Sequence, residues 1–232
     1  MAGVTTREEA SIYAAPAPQL GVATRKYVTE FIGSFFLTFA VGVAALTGSV
    51  FVPLAAGATL MVMVYAGGHI SGGHYNPAVT MAALVRRRIG VGDAVAYWIV
   101  QVAGGVAAGA LARAVVNPAT AKTLTLAGHA EAAAAVVEVL ITFALCYVVL
   151  NVATSKDQPN NGFFGLAIGF TVAAGAFAVG GISGGAFNPQ VAIGGATAGL
   201  FAWPTIWIYI LVELAAGVAA GLAFLALNPG DR

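Results

Sequence analysis

Six apolar stretches, each about twenty residues long, determine what this 232-residue chain can fold into. A helix of roughly twenty residues crosses a hydrocarbon layer about 30 Å thick, and it satisfies its own backbone hydrogen bonds there. We therefore predict six membrane-spanning helices. They are expected at residues 28–48, 52–70, 93–115, 132–153, 163–181 and 203–226.

The composition excludes several other classes of function. Charged residues make up 8% of the chain and apolar residues 59%, whereas a soluble domain carries roughly a quarter charged residues. A net charge of +1 provides no basic face for nucleic acid. The sequence shows no pairing of a nucleophile with a base and no set of metal ligands. We therefore predict an integral membrane protein that is not an enzyme, has no cofactor or metal and binds no nucleic acid.

Two Gly-rich intervals, 71–90 and 182–200, are too apolar for ordinary loops and too short for full spans. Each contains an Asn-Pro pair. Proline suits the first position of a helix, because its missing N–H would have no partner there. We predict that each interval is re-entrant, entering the membrane as a loop and starting a half-helix at Pro77 or Pro189.

An internal repeat relates the two intervals. A shift of 112 positions aligns residues 68–79 with 180–191, and eight of these twelve positions are identical. Each half contains three spans, so the second half is expected to enter the membrane upside down. Inverted repeats with interrupted helices place their functional site near the midplane of the membrane. The two loops are therefore expected to expose backbone carbonyls along a narrow aqueous path.

Basic residues predict the orientation, because cytoplasmic loops collect Lys and Arg. Eight of them fall on the side that holds both termini and two on the other side. Both termini are therefore expected in the cytoplasm, most simply at the cell membrane. The expected parts are an N-terminal tail (1–26), a first repeat (27–115), an extracellular linker (116–131), a second repeat (132–228) and a C-terminal tail (229–232).

Residues 27–228 resemble the aquaporin, or major intrinsic protein, family. The most specific part is residues 68–80, which read GHISGGHYNPAVT and resemble the first signature loop of that family. The resemblance implies an all-α membrane protein, an aquaporin-like bundle of six transmembrane helices plus two re-entrant half-helices. It also implies a homotetramer with one pore per subunit. The expected function is a passive channel for water and small uncharged solutes.

The expected centre of the pore is the pair Asn76 and Asn188. Two half-helix N-termini aimed at one point each present roughly half a positive charge, which repels cations. An Asn before the helix caps it with its side-chain oxygen and can turn amide N–H groups into the path. Water that accepts those hydrogen bonds points its protons away along the file, which interrupts proton conduction. The half-helices are expected to start at Pro77, Ala78, Pro189 and Gln190.

Glu30 and Glu138 lie inside predicted spans, where an Asp costs about 2.5–3.5 kcal/mol on insertion scales. The resemblance implies that they accept hydrogen bonds from the backbone of the re-entrant loops. Glu213 aligns with Gln101 in the repeat and is expected to snorkel or to contact another helix.

Two histidines accompany the first loop. His74 is expected to line the cytoplasmic vestibule. His69 is expected to donate a hydrogen bond within the packed loop.

The second motif departs from the family. It reads Asn-Pro-Gln-Val, whereas most members have Ala and then Arg after the Asn-Pro pair. The resemblance places the outer constriction at Ala56, Ala176, Gly185 and Val191, which form a wide and apolar set. We hypothesise a pore permissive for water, glycerol, urea or ammonia.

Three alternatives stay open at this stage. Phe177, next to Ala176, would narrow the mouth if the register slips by one residue. The Gln190 amide would either hydrogen-bond across the midplane or project into the path. The competing functions are an ion-coupled secondary transporter, which would use Glu30, Glu138 and Glu213, and a channel that leaks cations because the arginine is missing.

Overall fold

The computed structural model describes residues 20–117 and 122–231. Most of the expected N-terminal tail, part of the extracellular linker and Arg232 lie outside the described residues.

The described residues form eight α-helices and a short 3-10 helix, Trp203–Thr205, with no strand among them. Six of the helices are long and apolar enough to cross a membrane. The predicted fold class, six transmembrane helices plus two half-helices, is therefore confirmed. The helices are α1 (Val22–Leu46), α2 (Val52–Ser71), α3 (Pro77–Val85), α4 (Val91–Val116), α5 (His129–Thr154), α6 (Phe164–Ser183), α7 (Pro189–Ala198) and α8 (Ile206–Leu227).

Most of the long helices are longer than the apolar stretches that predicted them. Helix α1 begins at Val22, six residues before the expected boundary at 28, and includes Arg25 and Lys26. Hydropathy marks where the membrane begins, whereas a helix continues until a residue or a cap ends it. Five of the six predicted spans are therefore shorter than their helices, and the sixth, 203–226, also includes the 3-10 helix Trp203–Thr205 before α8.

Glycines end the two helices that precede the re-entrant loops. Gly72 follows α2 with φ 90°, and Gly184 follows α6 with φ 87°. A left-handed residue at this position lets the N–H turn back onto the last helical turn, and glycine adopts it without steric cost. The N–H of Gly72 donates to the Gly68 carbonyl at 2.9 Å, and that of Gly184 to the Gly180 carbonyl at 2.8 Å. Each loop consequently starts with a sharp change of direction.

Each half-helix packs against the opposite half of the chain: α3 against α8, and α7 against α4. The glycines of the long helices make this possible. A Cβ atom at Gly109 would collide with the carbonyl of Gly194, and one at Gly217 with the carbonyl of Ala78. Small residues at such positions let membrane helices approach closely. The Gly-x-x-x-Gly spacing of α4 and α8 therefore serves the docking of the half-helices.

The long helices repeat this relationship around an approximate two-fold axis. Helix α2 crosses α6 where Gly57 and Gly169 meet, since a Cβ on either glycine would collide with the carbonyl of the other. Helix α1 packs on α4 and α2, and α5 packs on α8 and α6. The predicted inverted repeat accounts for these matching pairs.

A buried ion pair joins the first half-helix to the C-terminal segment. Arg86, directly after α3, is 1% exposed, and its Nη2 lies 3.0 Å from Asp231 Oδ2. The same guanidinium donates to Thr154 at the end of α5, and the backbone N–H of Lys156 donates to Asp231 at 2.8 Å. Asp231 therefore joins the C-terminal segment to the end of α3 and to the residues that follow α5.

Candidate pore between the two half-helices

Asn76 and Asn188 cap the two half-helices. Each has an extended backbone, and its Oδ1 accepts from the N–H two residues later. Ala78 N–H donates to Asn76 at 2.8 Å, and Gln190 N–H donates to Asn188 at 3.2 Å. Both side-chain oxygens are occupied in this way, which directs each amide NH2 group away from its own helix.

The two amide groups then bond across to the opposite loop. Asn76 Nδ2 donates to the carbonyl of Phe187, and Asn188 Nδ2 donates to the carbonyl of Tyr75, each at 2.9 Å. Tyr75 and Phe187 have φ of 48° and 49°, the left-handed region that non-glycine residues rarely adopt. One N–H of each asparagine is therefore engaged in holding the loops together, and one remains for another acceptor.

Glu30 organises the first loop from inside α1. It is fully buried and accepts four hydrogen bonds. The four donors, at 2.7 to 2.9 Å, are Ser71 Oγ, His74 N–H, Tyr75 N–H and Gln101 Nε2. This number of donors compensates a carboxylate in a membrane interior.

Glu138 has the same role in the second loop. It accepts from Ser183 Oγ at 2.6 Å, from Ala186 N–H at 3.1 Å and from Phe187 N–H at 2.7 Å. The fourth position, which Gln101 fills beside Glu30, is taken by Glu213 here. Glu213 is fully buried, so the expectation that it snorkels is wrong and it contacts another helix instead.

Gln190 lies between the two halves and not in a cavity. Its side chain is fully buried, with Thr38 Oγ1 donating to Oε1 at 2.7 Å and Nε2 donating to the Tyr75 carbonyl at 3.3 Å. A Cβ at Gly105 would collide with it, so that glycine makes room for the longer side chain. Of the two open alternatives, the structure shows the hydrogen bond across the midplane.

A narrow cavity of about 20 Å³ lies beside the two asparagines and is lined by both. Ala56, Gly185 and Val191, three of the four expected constriction residues, also line it. Val41, Gly185 and Val191 also line an outer cavity of about 150 Å³. The residues lining these two cavities include none with a charged side chain.

Helix α6 contributes to the wall beside Gly185. Ala176 is half-buried with its Cα next to Gly185, and Val172, one helical turn earlier, lines the midplane cavity. Phe177 is 61% exposed and lines neither cavity, so it does not narrow the mouth. The direction in which the Phe177 side chain leaves the tilted helix cannot be read from its distance to the Asn-Pro motif.

A third cavity, of about 320 Å³, opens on the side of the 155–163 loop. His69 lines it together with Gln158 and Asn161, whereas His74 does not. The Nδ1 atom of His74 is 3.0 Å from Thr80 Oγ1, and its ring packs edge-on against Tyr97. Of the two histidines, His69 lines this cavity, and half-buried His74 contacts Thr80 and Tyr97.

The linker contributes residues that sequence reasoning missed. Leu124 lines the outer cavity, and its N–H donates to the Leu200 carbonyl at 2.8 Å. Ala202 N–H returns a bond to the Leu124 carbonyl at 3.0 Å. The alternating Thr-Leu-Thr-Leu of residues 123–126 has the period of an extended strand, and this signal could have located the contact.

An inverted repeat whose half-helices meet at their N-termini beside uncharged cavities defines a class of membrane channel. Residues 19–224 match the family described as Major intrinsic protein. The chain belongs to the major intrinsic protein family, which includes the aquaporins, and the resemblance found in the sequence is thereby confirmed.

Relatives from several organisms cover nearly the whole chain. "Glycerol uptake facilitator protein-like 6" of Lactiplantibacillus plantarum is 42% identical over 217 residues, which are 89% of this chain and 100% of the relative. "Aquaporin NIP1-4" of Oryza sativa subsp. japonica is 38% identical, covering 88% of this chain and 78% of the relative. The aquaglyceroporin of Plasmodium falciparum has a solved structure that matches with a TM-score of 0.74, at 18% identity, over 87% of this chain and 95% of that one.

As a member of this family, the chain is an integral membrane protein and a passive channel for water or small solutes, and it is not an enzyme.

Proposed function

We propose that the protein conducts water together with larger uncharged solutes of the size of urea and glycerol, and that ammonia also passes. The observation that carries this proposal is the outer constriction, where Val191 occupies the usual arginine position beside Ala56 and Gly185. The resemblance to a relative named as a glycerol uptake facilitator supports the same solute class.

The path for these solutes runs through the three cavities. Polar contacts along it come from backbone carbonyls and from the free amide N–H of Asn76 and Asn188. Within the described chain, the carbonyls of residues 72–74 and 184–186 receive no hydrogen bond from the protein. A hydroxylated solute that donates to these carbonyls and slides its carbon backbone along Val172 and Val191 matches both surfaces.

The two asparagines also account for exclusion of cations and protons. The positive ends of α3 and α7 meet there, and neither adjoining cavity has a charged side chain that would offset their potential. A water that accepts from both amides cannot pass a proton along the file. We therefore propose that the missing arginine changes the solute range without producing a cation leak.

Osmotic swelling of proteoliposomes tests the solute range. Water, urea and glycerol fluxes are measured by stopped-flow light scattering, with protein-free liposomes as the baseline. We expect water, urea and glycerol all to pass. Passage of water with complete exclusion of urea and glycerol would contradict a permissive pore.

A coupled transporter is the second candidate, because the chain has carboxylates inside its spans. The oxygens of Glu30 and Glu138 already accept four and three hydrogen bonds, which leaves Glu213 as the carboxylate without a partner among the described residues. We expect glycerol uptake to be insensitive to an imposed proton or sodium gradient. Stimulated uptake would favour a transporter, and single-channel currents in a planar bilayer would favour a cation leak.

We also propose that the chain forms a homotetramer in the cell membrane with both termini in the cytoplasm. The tetramer is implied by the family resemblance, and the orientation follows from the excess of basic residues on one side. The mass of the protein complex, measured without the bound detergent, tests the tetramer. Labelling of cysteines introduced at residues 25 and 122 tests the orientation.

A further inference from the structure

Glu213 lies in the membrane interior without a hydrogen-bond donor. The residue is fully buried near the middle of α8, and neither carboxylate oxygen has a partner among the described residues. An ionised carboxylate left in this state would cost several kcal/mol. The neighbouring Glu138, in contrast, already accepts three hydrogen bonds.

The equivalent residue in the first half of the chain is a hydrogen-bond donor to the buried glutamate. Gln101, its repeat equivalent, uses its amide Nε2 to donate to Glu30 at 2.8 Å and to Thr80 at 3.0 Å. A shift of 112 positions maps Gln101 onto Glu213 and Thr80 onto Ala192. The second half therefore has a buried carboxylate, Glu138, that corresponds to Glu30. At the position of the donor Gln101 it has a second carboxyl group, that of Glu213.

The surroundings of Glu213 supply no other charge. Helices α5 and α8 pack together and bring its carboxyl group near that of Glu138, and the backbone N–H of Asn188 is close without meeting hydrogen-bond geometry. Cys146 on α5 and Tyr209 on α8 are the nearby titratable groups, and the Tyr209 hydroxyl is occupied in donating to the Ser183 carbonyl. The half-helices α3 and α7, which also pack on α8, contain no ionisable side chain.

We propose that Glu213 is a positioning residue that holds a proton at neutral pH and donates it to Glu138, so that the two carboxyl groups share one proton. Two adjacent carboxylates cannot both ionise in an apolar site. Protonated Glu213 supplies the fourth donor to Glu138, as Gln101 does to Glu30. The proton belongs to the pair, because strongly coupled groups titrate together.

The shared proton equalises the charge of the two halves. Each re-entrant loop is then held by one net negative charge, from Glu30 in the first half and from the Glu138–Glu213 pair in the second. A second charge beside Asn188 would weaken the positive potential at the N-terminus of α7. This inference does not depend on which solute passes through the channel.

Infrared spectroscopy of the full-length protein in lipid tests the proposal without measuring transport. A protonated carboxyl group has a C=O stretching band separate from the bands of carboxylates, and the band shifts when the proton is exchanged for deuterium. At neutral pH we expect one such band in the native protein and its loss in E213Q. Absence of the band in the native protein, or its persistence in E213Q, would overturn the proposal.

The repeat offers a matched control. Gln101→Glu creates the same pair beside Glu30 and is expected to add a second protonated-carboxyl band. Glu213→Gln should retain the thermal stability of the native protein because its amide can donate to Glu138, whereas Glu213→Leu should lower the melting temperature. Equal loss of stability in the Gln and Leu variants would show that no donor is needed at position 213.

Discussion

Val191 is the single residue on which the proposed solute range depends most. It lines both the midplane and the outer cavity, beside Gly185. We expect Val191→Arg to reduce glycerol flux roughly tenfold or more relative to water, because a barrier increase of about 1.4 kcal/mol is enough for that change. Stopped-flow swelling measures the ratio of the two fluxes.

A length-matched variant separates width from charge. Val191→Met extends the side chain without charge. If Met and Arg reduce glycerol flux equally, width decides the selectivity. If neither variant changes the ratio of glycerol to water flux, position 191 is not the constriction.

Gln190 contributes stability through the hydrogen bond that it shares with Thr38. We expect Gln190→Leu and Thr38→Val each to lower the free energy of unfolding by about 1–3 kcal/mol, because each leaves a buried polar partner unsatisfied. The double variant should be less destabilised than the sum, with a coupling of about 0.5–3 kcal/mol. Reversible unfolding in detergent measures all three, and strict additivity would be inconsistent with the bond.

At the scale of single residues, the sequence predicted positions better than orientations. The Asn-Pro pairs located Asn76 and Asn188 because a cap and a helix start have fixed spacing. The direction of the Phe177 side chain stayed open because the face that a side chain presents depends on helix tilt and on tertiary packing. The partner of Glu213 was missed for a similar reason, since a contact between α5 and α8 is not a local property.

Among the contacts between helices, the packing of α7 on α4 depends most on small side chains at the contact. We expect Gly109→Ala to lower the free energy of unfolding by about 1–3 kcal/mol, because the added methyl group would collide with the carbonyl of Gly194. Reversible unfolding in detergent checks the value.

Gly92 provides the control on the same helix. A Cβ there meets nothing within 4 Å. Gly92→Ala is therefore expected to leave the unfolding free energy unchanged or to raise it by up to about 1 kcal/mol. A Gly109→Ala variant as stable as Gly92→Ala would show that α7 tolerates displacement.

The elements themselves were largely predictable. Six apolar stretches, two interrupted intervals and one repeat determined the number, type and inversion of the helices. The linker left a weaker signal, the alternating Thr-Leu-Thr-Leu of residues 123–126, because the contact is a single backbone bridge between Leu124 and Phe201.

At the scale of the whole molecule, Asp231 couples the C-terminal segment to α3 and to the loop after α5. The hydrogen bond from Lys156 N–H and the bonds and charge of Arg86 lower the pKa of Asp231 from 3.8 to about 2. A carboxylate with a lowered pKa in the folded state stabilises the protein above its unfolded pKa and loses that contribution as the pH falls towards the folded value.

We therefore expect the native protein to melt at a higher temperature than D231N near pH 7, and the difference to disappear between about pH 4 and pH 2. Melting in detergent across this range measures the effect. Asp157→Asn is the control, because Asp157 is exposed in the neighbouring loop. A difference between native protein and D231N that is independent of pH would show that the charge of Asp231 is not responsible.

The exchange of half-helices between the two halves has a consequence for how the chain is made. Helix α3 leaves the ribosome long before α8, the helix on which it docks, and α4 is complete before α7 exists. During translation the first three spans must therefore keep an unfinished groove and a short undocked helix in the membrane. Maturation of the conduit is a late event, completed only when the last span has been inserted.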